Sequence, residues 1–166
     1  MPKRQVFYSF HYKPDCWRAA TVRSIGAIEG NRPAPDNDWE TVTKGGEEAI
    51  KKWIAEQMKY RSCTVVLVGN QTANRKWINH EIVKSWNAGM GVVGIRIHGL
   101  KNHEGYISNP GENPFDHINY GDTGKKLSAI VKCYNPQGNN SKERYDWIAT
   151  YLSDAVEEAV KIRNSN

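Results

Sequence analysis

The chain has 166 residues, which is the size of one domain with a hydrophobic core of its own. Hydrophobic residues make up 39% and charged residues 25%, and no apolar run approaches the ~20 residues that cross a bilayer, so disordered, membrane-spanning, collagen-like and secreted mini-protein classes are excluded. The net charge of +5 favours anionic partners, but no basic run exceeds two residues, so nucleic acid is not a favoured one.

The cysteines and the N-terminal sequence predict a cytoplasmic protein. Cys16, Cys63 and Cys133 are odd in number, and no two have the C-x-x-C spacing. This usage is typical of a reducing compartment and argues against a disulfide framework or a zinc ribbon. Residues 1–5, which precede the first apolar run, show no signal peptide.

Strands and helices alternate along most of the sequence. Strands are predicted from short apolar or β-branched runs, and helices from apolar residues spaced three or four apart. In chain order the predicted elements are a strand over 5–10, a helix over 15–23 capped by Asp15, a weak strand over 24–28, a loop over 30–39, a helix that follows Gly45 and Gly46 and includes Met58, a strand over 63–68, a helix over 74–88, a strand over 92–97, a long polar loop over 98–126, a strand over 128–134 and a C-terminal helix over 141–163 that begins with a capping-box pattern at Asn140 and Glu143.

This order predicts one α/β domain over residues 1–166. The run over 63–68 is continuously apolar, as expected for a strand at the centre of a parallel sheet that is covered on both faces. Because strands and helices alternate, the predicted architecture is a flavodoxin-like three-layer sandwich with a mostly parallel central sheet.

The predicted fold also places a ligand site. Doubly wound sheets bind ligands beyond the carboxyl ends of their strands, where the strand order reverses, and in the flavodoxin-like order this point lies between the first and third strands. The residues that leave these strands and are candidates for binding are Ser9, Phe10 and His11 after the first and Asn70 after the third. Helices begin after both groups, and free N–H groups at helix starts favour anions such as phosphate.

Several motifs of nucleotide and hydrolase chemistry are missing. The sequence has no G-x-G-x-x-G, no phosphate-binding P-loop, no G-x-S-x-G and no H-E-x-x-H. His98 and His103 could share a metal, but histidines exposed on a loop are the more frequent outcome, and we predict no metal site.

The helix after the third strand carries the one candidate catalytic group. Trp77, Glu81 and Lys84 recur at i, i+4 and i+7, on the shoulder of the apolar stripe. A carboxylate there, beside an aromatic ring and partly shielded from water, suits an acid, a base or a charge stabiliser. The alternative is a solvent-exposed Glu81–Lys84 ion pair of little energetic value, and periodicity alone favours that alternative.

Short motifs in a fixed order add a family resemblance. Val6-Phe7-Tyr8-Ser9-Phe10, then Thr64-Val65-Val66-Leu67-Val68-Gly69, then Arg75-Lys76-Trp77-x-x-x-Glu81 resemble the TIR (Toll/interleukin-1 receptor) domain pattern of a strand ending in Ser-Phe and a later strand leading into a Trp-x-x-x-Glu helix. The Ser-Phe-His-Tyr sequence and the long loop before Trp39-Glu40 look like the TIR-like proteins typified by the cyclase subunit of bacterial Thoeris anti-phage systems.

The resemblance implies a TIR-like fold and an NAD glycohydrolase or ADP-ribosyl cyclase. Glu81 corresponds to the family's catalytic glutamate and Trp77 to its helix tryptophan. NAD is then a substrate rather than a cofactor, and no metal is needed. The product, a cyclic or conjugated ADP-ribose, would activate a partner effector.

The strand exits and the resemblance together give the residues expected around the substrate. They are Ser9, Phe10, His11, Asp36, Asn37, Asn70 and Trp77. Ordinary alternatives exist for several of them: Phe10 and Trp77 could be packing residues, and Asp36 and Asn37 could serve only as turn residues. Two other functions stay open, namely a non-catalytic module that self-associates or binds other TIR-like domains, and a basic nucleotide or nucleic-acid sensor.

Overall fold

The chain folds around one parallel sheet. In the computed structural model, which describes residues 4–26, 28–30 and 46–166, five strands pair in the order β2-β1-β3-β4-β5. All four pairings are parallel, and β3 lies at the centre. The strands are β1 (Gln5–Ser9), β2 (Glu29–Gly30), β3 (Cys63–Val68), β4 (Gly91–Arg96) and β5 (Cys133–Tyr134).

Helices cover both faces of this sheet, two on each. They are α1 (Tyr12–Arg23), α2 (Gly46–Met58), α3 (Lys76–Asn87) and α4 (Ser141–Asn164). Val65 and Leu67 of β3 pack in a cluster with α1 and α4, whereas Val66 and Val68 pack against α3. Since successive side chains of a strand point to opposite faces, β3 must be apolar throughout, and all six of its residues are buried. The predicted flavodoxin-like α/β sandwich is confirmed.

The first helix begins earlier than the sequence predicts. It starts at Tyr12, with His11 at the N-cap, so the predicted capping role of Asp15 is wrong. Pro14 does not stop the helix because a proline in the first turn removes only an N–H group that would have had no partner. Asp15 lies inside the helix, buried, and forms an ion pair with Arg18.

Two further predicted strands are shifted or shortened. Residues 24 and 25 form a turn, and the strand that pairs with β1 is Glu29–Gly30, so the weak strand over 24–28 is wrong. The strand over 128–134 shrinks to Cys133–Tyr134, because residues 127–129 form a short 3-10 helix. Both strands lie at the edges of the sheet, where fewer contacts specify where a strand begins and ends.

The segment over 98–126 is largely irregular but fixed to the core. A 3-10 helix over Pro114–His117 places Phe115 fully buried against β3 and β4. At the start of α4, the Asn140 side chain accepts a hydrogen bond from the Glu143 N–H at 2.9 Å, which is half of the predicted capping box. None of the described helices combines the length and apolar character that a membrane span requires.

Candidate functional site

The site predicted at the strand-order reversal lies where β1 and β3 leave the sheet side by side. Ser9, the last residue of β1, pairs with Val66 of β3. Phe10 and His11 follow β1, and Gly69 and Asn70 follow β3. These residues form one part of the C-terminal edge, the edge at which the parallel strands end.

A hydrogen bond between α3 and β3 sets the depth of Glu81. Ser85 Oγ and Thr64 Oγ1 lie 2.6 Å apart, in the buried layer between helix and sheet. Glu81 precedes Ser85 by four residues, or about 6 Å along the helix. Because α3 runs antiparallel to β3, this distance matches two strand residues, about 6.6 Å, and brings Glu81 to the level of Val66 and Ser9.

Glu81 and Ser9 are buried on the same face of the sheet. Glu81 is 4% exposed and Ser9 is 0% exposed. The side chain of Ser9 shares its face with that of Phe7, two residues earlier, which packs against α2. Among the described residues the Ser9 hydroxyl has no hydrogen-bond partner. Glu81 is therefore not the solvent-exposed member of a Glu81–Lys84 pair that periodicity alone favours.

Two aromatic rings precede Glu81 in α3, Trp77 by one helical turn and His80 by one residue. Trp77 is half-buried and packs against the cluster that contains Phe7 and Ile54. Its ring meets that of His80 edge-on, with 5.5 Å between centroids. Burial, with smaller contributions from nearby lysines, lowers the pKa of His80, so its imidazole is neutral at pH 7. Trp77 therefore packs on the same side of the sheet as Ser9.

The other predicted binding residues occupy different places. Phe10 packs into the core on the α1 face, opposite Glu81, with its ring centroid 6.3 Å from that of Tyr12. His11 is buried directly before α1. Asn70 is exposed, and its Nδ2 donates to the Asn109 carbonyl at 3.0 Å. Asp36 and Asn37 lie outside the described residues.

Sequence reasoning missed a buried ion pair at this edge. Arg18 Nη1 and Asp15 Oδ1 are 2.9 Å apart, and both side chains are at least 95% buried. A Cβ on Gly69 would overlap Asp15 Oδ2, so glycine is required after β3. Burial raises the pKa of Asp15, although Arg18 opposes this increase. The i, i+3 spacing of the pair is visible in the sequence, but its burial is not.

The arrangement places the buried Glu81 carboxylate at the level of the β1–β3 junction, on the face of the sheet opposite α1 and Asp15. Glu81 can stabilise positive charge or accept a proton, and the Ser9 hydroxyl at the same level can donate or accept a hydrogen bond. Within residues 4–26, 28–30 and 46–166, no three His, Cys, Asp or Glu side chains group as metal ligands would.

A parallel sheet of this order, with a buried Trp-x-x-x-Glu glutamate in the helix after its third strand, defines a TIR-like domain. The family model described as "Thoeris protein ThsB, TIR-like domain" matches residues 7–102, which is more than half of the chain. The chain belongs to this family. Ser9, Asn70, Trp77 and Glu81 all fall within the matched segment.

A curated relative agrees with the family assignment. The chain is 36% identical over 122 residues to a Bacillus cereus (strain MSX-D12) protein named "Putative cyclic ADP-D-ribose synthase ThsB1". The alignment covers 70% of this chain and 64% of that protein, so it spans less than two thirds of the relative's length.

Proposed function

We propose that this chain is an enzyme that cleaves the nicotinamide–ribose bond of NAD and forms a cyclic ADP-ribose-type signal in anti-phage defence. The name of the relative supports this substrate and product class. The observation that carries the proposal is the position of Glu81: a carboxylate with 4% exposure, at the level of Ser9, on the edge where doubly wound folds bind ligands.

The proposed reaction needs one carboxylate. When the ribose C1′–N bond breaks, its electron pair neutralises the pyridinium nitrogen, nicotinamide leaves uncharged, and the positive charge moves to the ribose as an oxocarbenium-like centre. Glu81 stabilises that charge. A nucleophilic atom of the same ADP-ribose then bonds to C1′ to give a cyclic product, or water does so to give the linear one, and Glu81 accepts the proton that is released.

The neighbouring residues have supporting roles in this proposal. The Ser9 hydroxyl holds a ribose hydroxyl, since it has no partner among the described residues. Trp77 closes the site on one side, and Asn70 and His11 contact the substrate from the turns that follow β3 and β1. Phe10 acts through packing, whereas Asp36 and Asn37 contact substrate from the segment after β2. The reaction needs no metal, and its product acts on a separate effector.

The test is the conversion of NAD by Glu81→Gln. We expect nicotinamide release to fall by at least a hundredfold, because a neutral amide cannot compensate the ribosyl charge, while circular dichroism and the melting temperature show a folded protein. Glu48→Gln is the matched control, since Glu48 lies 92% exposed on α2 and its carboxylate is 3.9 Å from the Lys51 ammonium. Its turnover should equal that of the parent.

Two outcomes would contradict the proposal. The first is Glu81→Gln turning over NAD at the parent rate. The second is no nicotinamide release by the parent at any protein concentration; if the chain also assembled in a concentration-dependent way that survived Glu81→Gln, a non-catalytic interaction module would replace the enzyme.

A further inference from the structure

A polar cavity of about 270 Å³ opens at the C-terminal edge, beside α1. We call it the edge cavity. Lys13 and Asp15 of α1, Asn70 after β3, and Asn102 and Ser108 of the following loop are among its lining residues. Glu81 does not line it. The family match ends at residue 102, so much of the loop wall lies beyond the matched segment.

The loop wall of the edge cavity is held in place by Arg18. Its Nε donates to the Leu100 carbonyl at 2.7 Å and its Nη2 to the Tyr106 carbonyl at 3.0 Å. Asn70 adds the bond to Asn109 on the other side of Ser108. A cavity whose walls are tied in this way binds a ligand without first ordering a loop, which reduces the entropic cost of binding.

One set of groups around the edge cavity can donate hydrogen bonds to an anion. Lys13 is exposed in the first turn of α1 and has no ion-pair partner among the described residues. His11 makes no side-chain cap, so the N–H groups of that turn, except at its proline, are left for a ligand. Asn102 Oδ1 already accepts from the N–H groups of Glu104 and Tyr106, and its Nδ2 therefore remains as a donor.

A second set of groups can accept a hydrogen bond. Asp15 is 1% exposed, and its Oδ2 has no hydrogen-bond partner within the described part of the chain, because only Oδ1 bonds to Arg18. A buried oxygen without a donor is costly, and a ligand hydroxyl would supply one. Asn70 donates through Nδ2, which leaves its Oδ1 as another acceptor. Asp15 and Arg18 cancel in charge, so the Lys13 ammonium is left as an uncompensated positive charge in the lining.

We propose that the edge cavity binds a ribose phosphate group, with the phosphate at Lys13 and the first turn of α1 and the sugar hydroxyls at Asp15 and Asn70. The volume is that of roughly nine water molecules, enough for a sugar phosphate and below the usual range for a drug-sized ligand. The group belongs either to a dinucleotide that also reaches Glu81 or to a separate nucleoside phosphate. The site exists whether or not Glu81 is catalytic.

Calorimetric titration of the folded protein with ribose 5-phosphate tests the site without any turnover. We expect saturable binding, weakened roughly ten- to a hundredfold in Lys13→Ala, because the phosphate loses a charge-assisted hydrogen bond. Lys59→Ala is the matched control: Lys59 is also exposed, but it follows the end of α2, at the opposite edge of the sheet, and its removal should leave the affinity unchanged.

Three comparisons complete the experiment. If ribose 5-phosphate competes with NAD, the group is part of the dinucleotide; if it binds without competing, the ligand is a separate nucleoside phosphate, and either result supports the site. The absence of binding at millimolar ribose 5-phosphate, or equal affinity in Lys13→Ala and Lys59→Ala, overturns it. An inactive Glu81→Gln protein that still binds ribose 5-phosphate separates this site from the proposed reaction.

Discussion

Arg18→Met removes the charged group that connects α1 to the loop after β4. Arg18 is 4% exposed and donates three hydrogen bonds of 3.0 Å or less, to Asp15 Oδ1 and to the carbonyls of Leu100 and Tyr106. Methionine fills a similar elongated space but makes none of these bonds. The variant therefore leaves the Asp15 carboxylate buried without its counter-charge, and two loop carbonyls without their donor.

The expected loss of stability is large for a chain of this size. Removing one member of a buried ion pair reduces the free energy of unfolding by about 3–5 kcal/mol. For a protein of this length, one kcal/mol corresponds to roughly 2–4 °C in melting temperature, so we expect a decrease of about 6–20 °C. Urea unfolding and thermal melts measure both quantities directly.

The pH dependence of this loss identifies its cause. Burial holds the pKa of Asp15 above its ordinary value, and Arg18 opposes that rise, so Arg18→Met must raise this pKa further. A carboxyl whose pKa is higher in the native state than in the unfolded chain binds more protons in the native state. Stability therefore falls as the pH rises from the unfolded-state pKa to the native-state pKa. The stability deficit of Arg18→Met should thus be smaller at about pH 5 than at about pH 7.

A second variant separates the carboxylate from the lost loop contacts. Asp15→Asn combined with Arg18→Met has no buried charge, so it should recover part of the stability and lose the added pH dependence. The reasoning is refuted if Arg18→Met shows the same deficit at both pH values and the double variant is no more stable than the single one.

Two more variants test the packing that holds the site. Ser85→Ala leaves Thr64 Oγ1 without its 2.6 Å partner and should reduce the free energy of unfolding, measured in urea, by about 1–3 kcal/mol. Adding Thr64→Val removes the unpaired hydroxyl and should recover part of this loss; no recovery would contradict the assignment. Gly91→Ala would place a Cβ 2.8 Å from backbone atoms of Ala159 and Val160 in α4. We expect the free energy of unfolding in urea to fall by about 1–3 kcal/mol. Unchanged stability would show that α4 moves without cost.

The elements that the sequence predicted best are those whose pattern is local and strong. β3 spans Cys63–Val68 as predicted, because a continuous apolar run has few other places to lie than the centre of a covered sheet. For α3 the apolar period was sufficient to identify a helix, and it begins at Lys76 rather than at Asn74, whose φ of 64° is outside the helical region. Periodicity located Glu81 on the helix, but it favoured exposure over the burial that is observed.

The parts that could not be predicted depend on distant residues. Arg18 bonds to Leu100, 82 positions later, and no local pattern connects the two. That contact and the bond to the Tyr106 carbonyl hold the irregular segment after β4 against α1, where it forms a wall of the edge cavity. β2 and β5 have two residues each, too few for a strand pattern to develop.

Close backbone packing at the C-terminal edge connects the two candidate sites. A Cβ on Gly111 would lie 2.5 Å from the Gly69 carbonyl oxygen, so the loop after β4 approaches the end of β3 this closely only because residue 111 is glycine. Arg96 holds the same point, since its Nη1 donates to the Gly111 carbonyl at 2.6 Å. The turn at Gly69 therefore has the Asp15 carboxylate on one side and leads into the helix of Glu81 on the other. A substitution that displaces this turn should alter both ribose phosphate binding and NAD turnover.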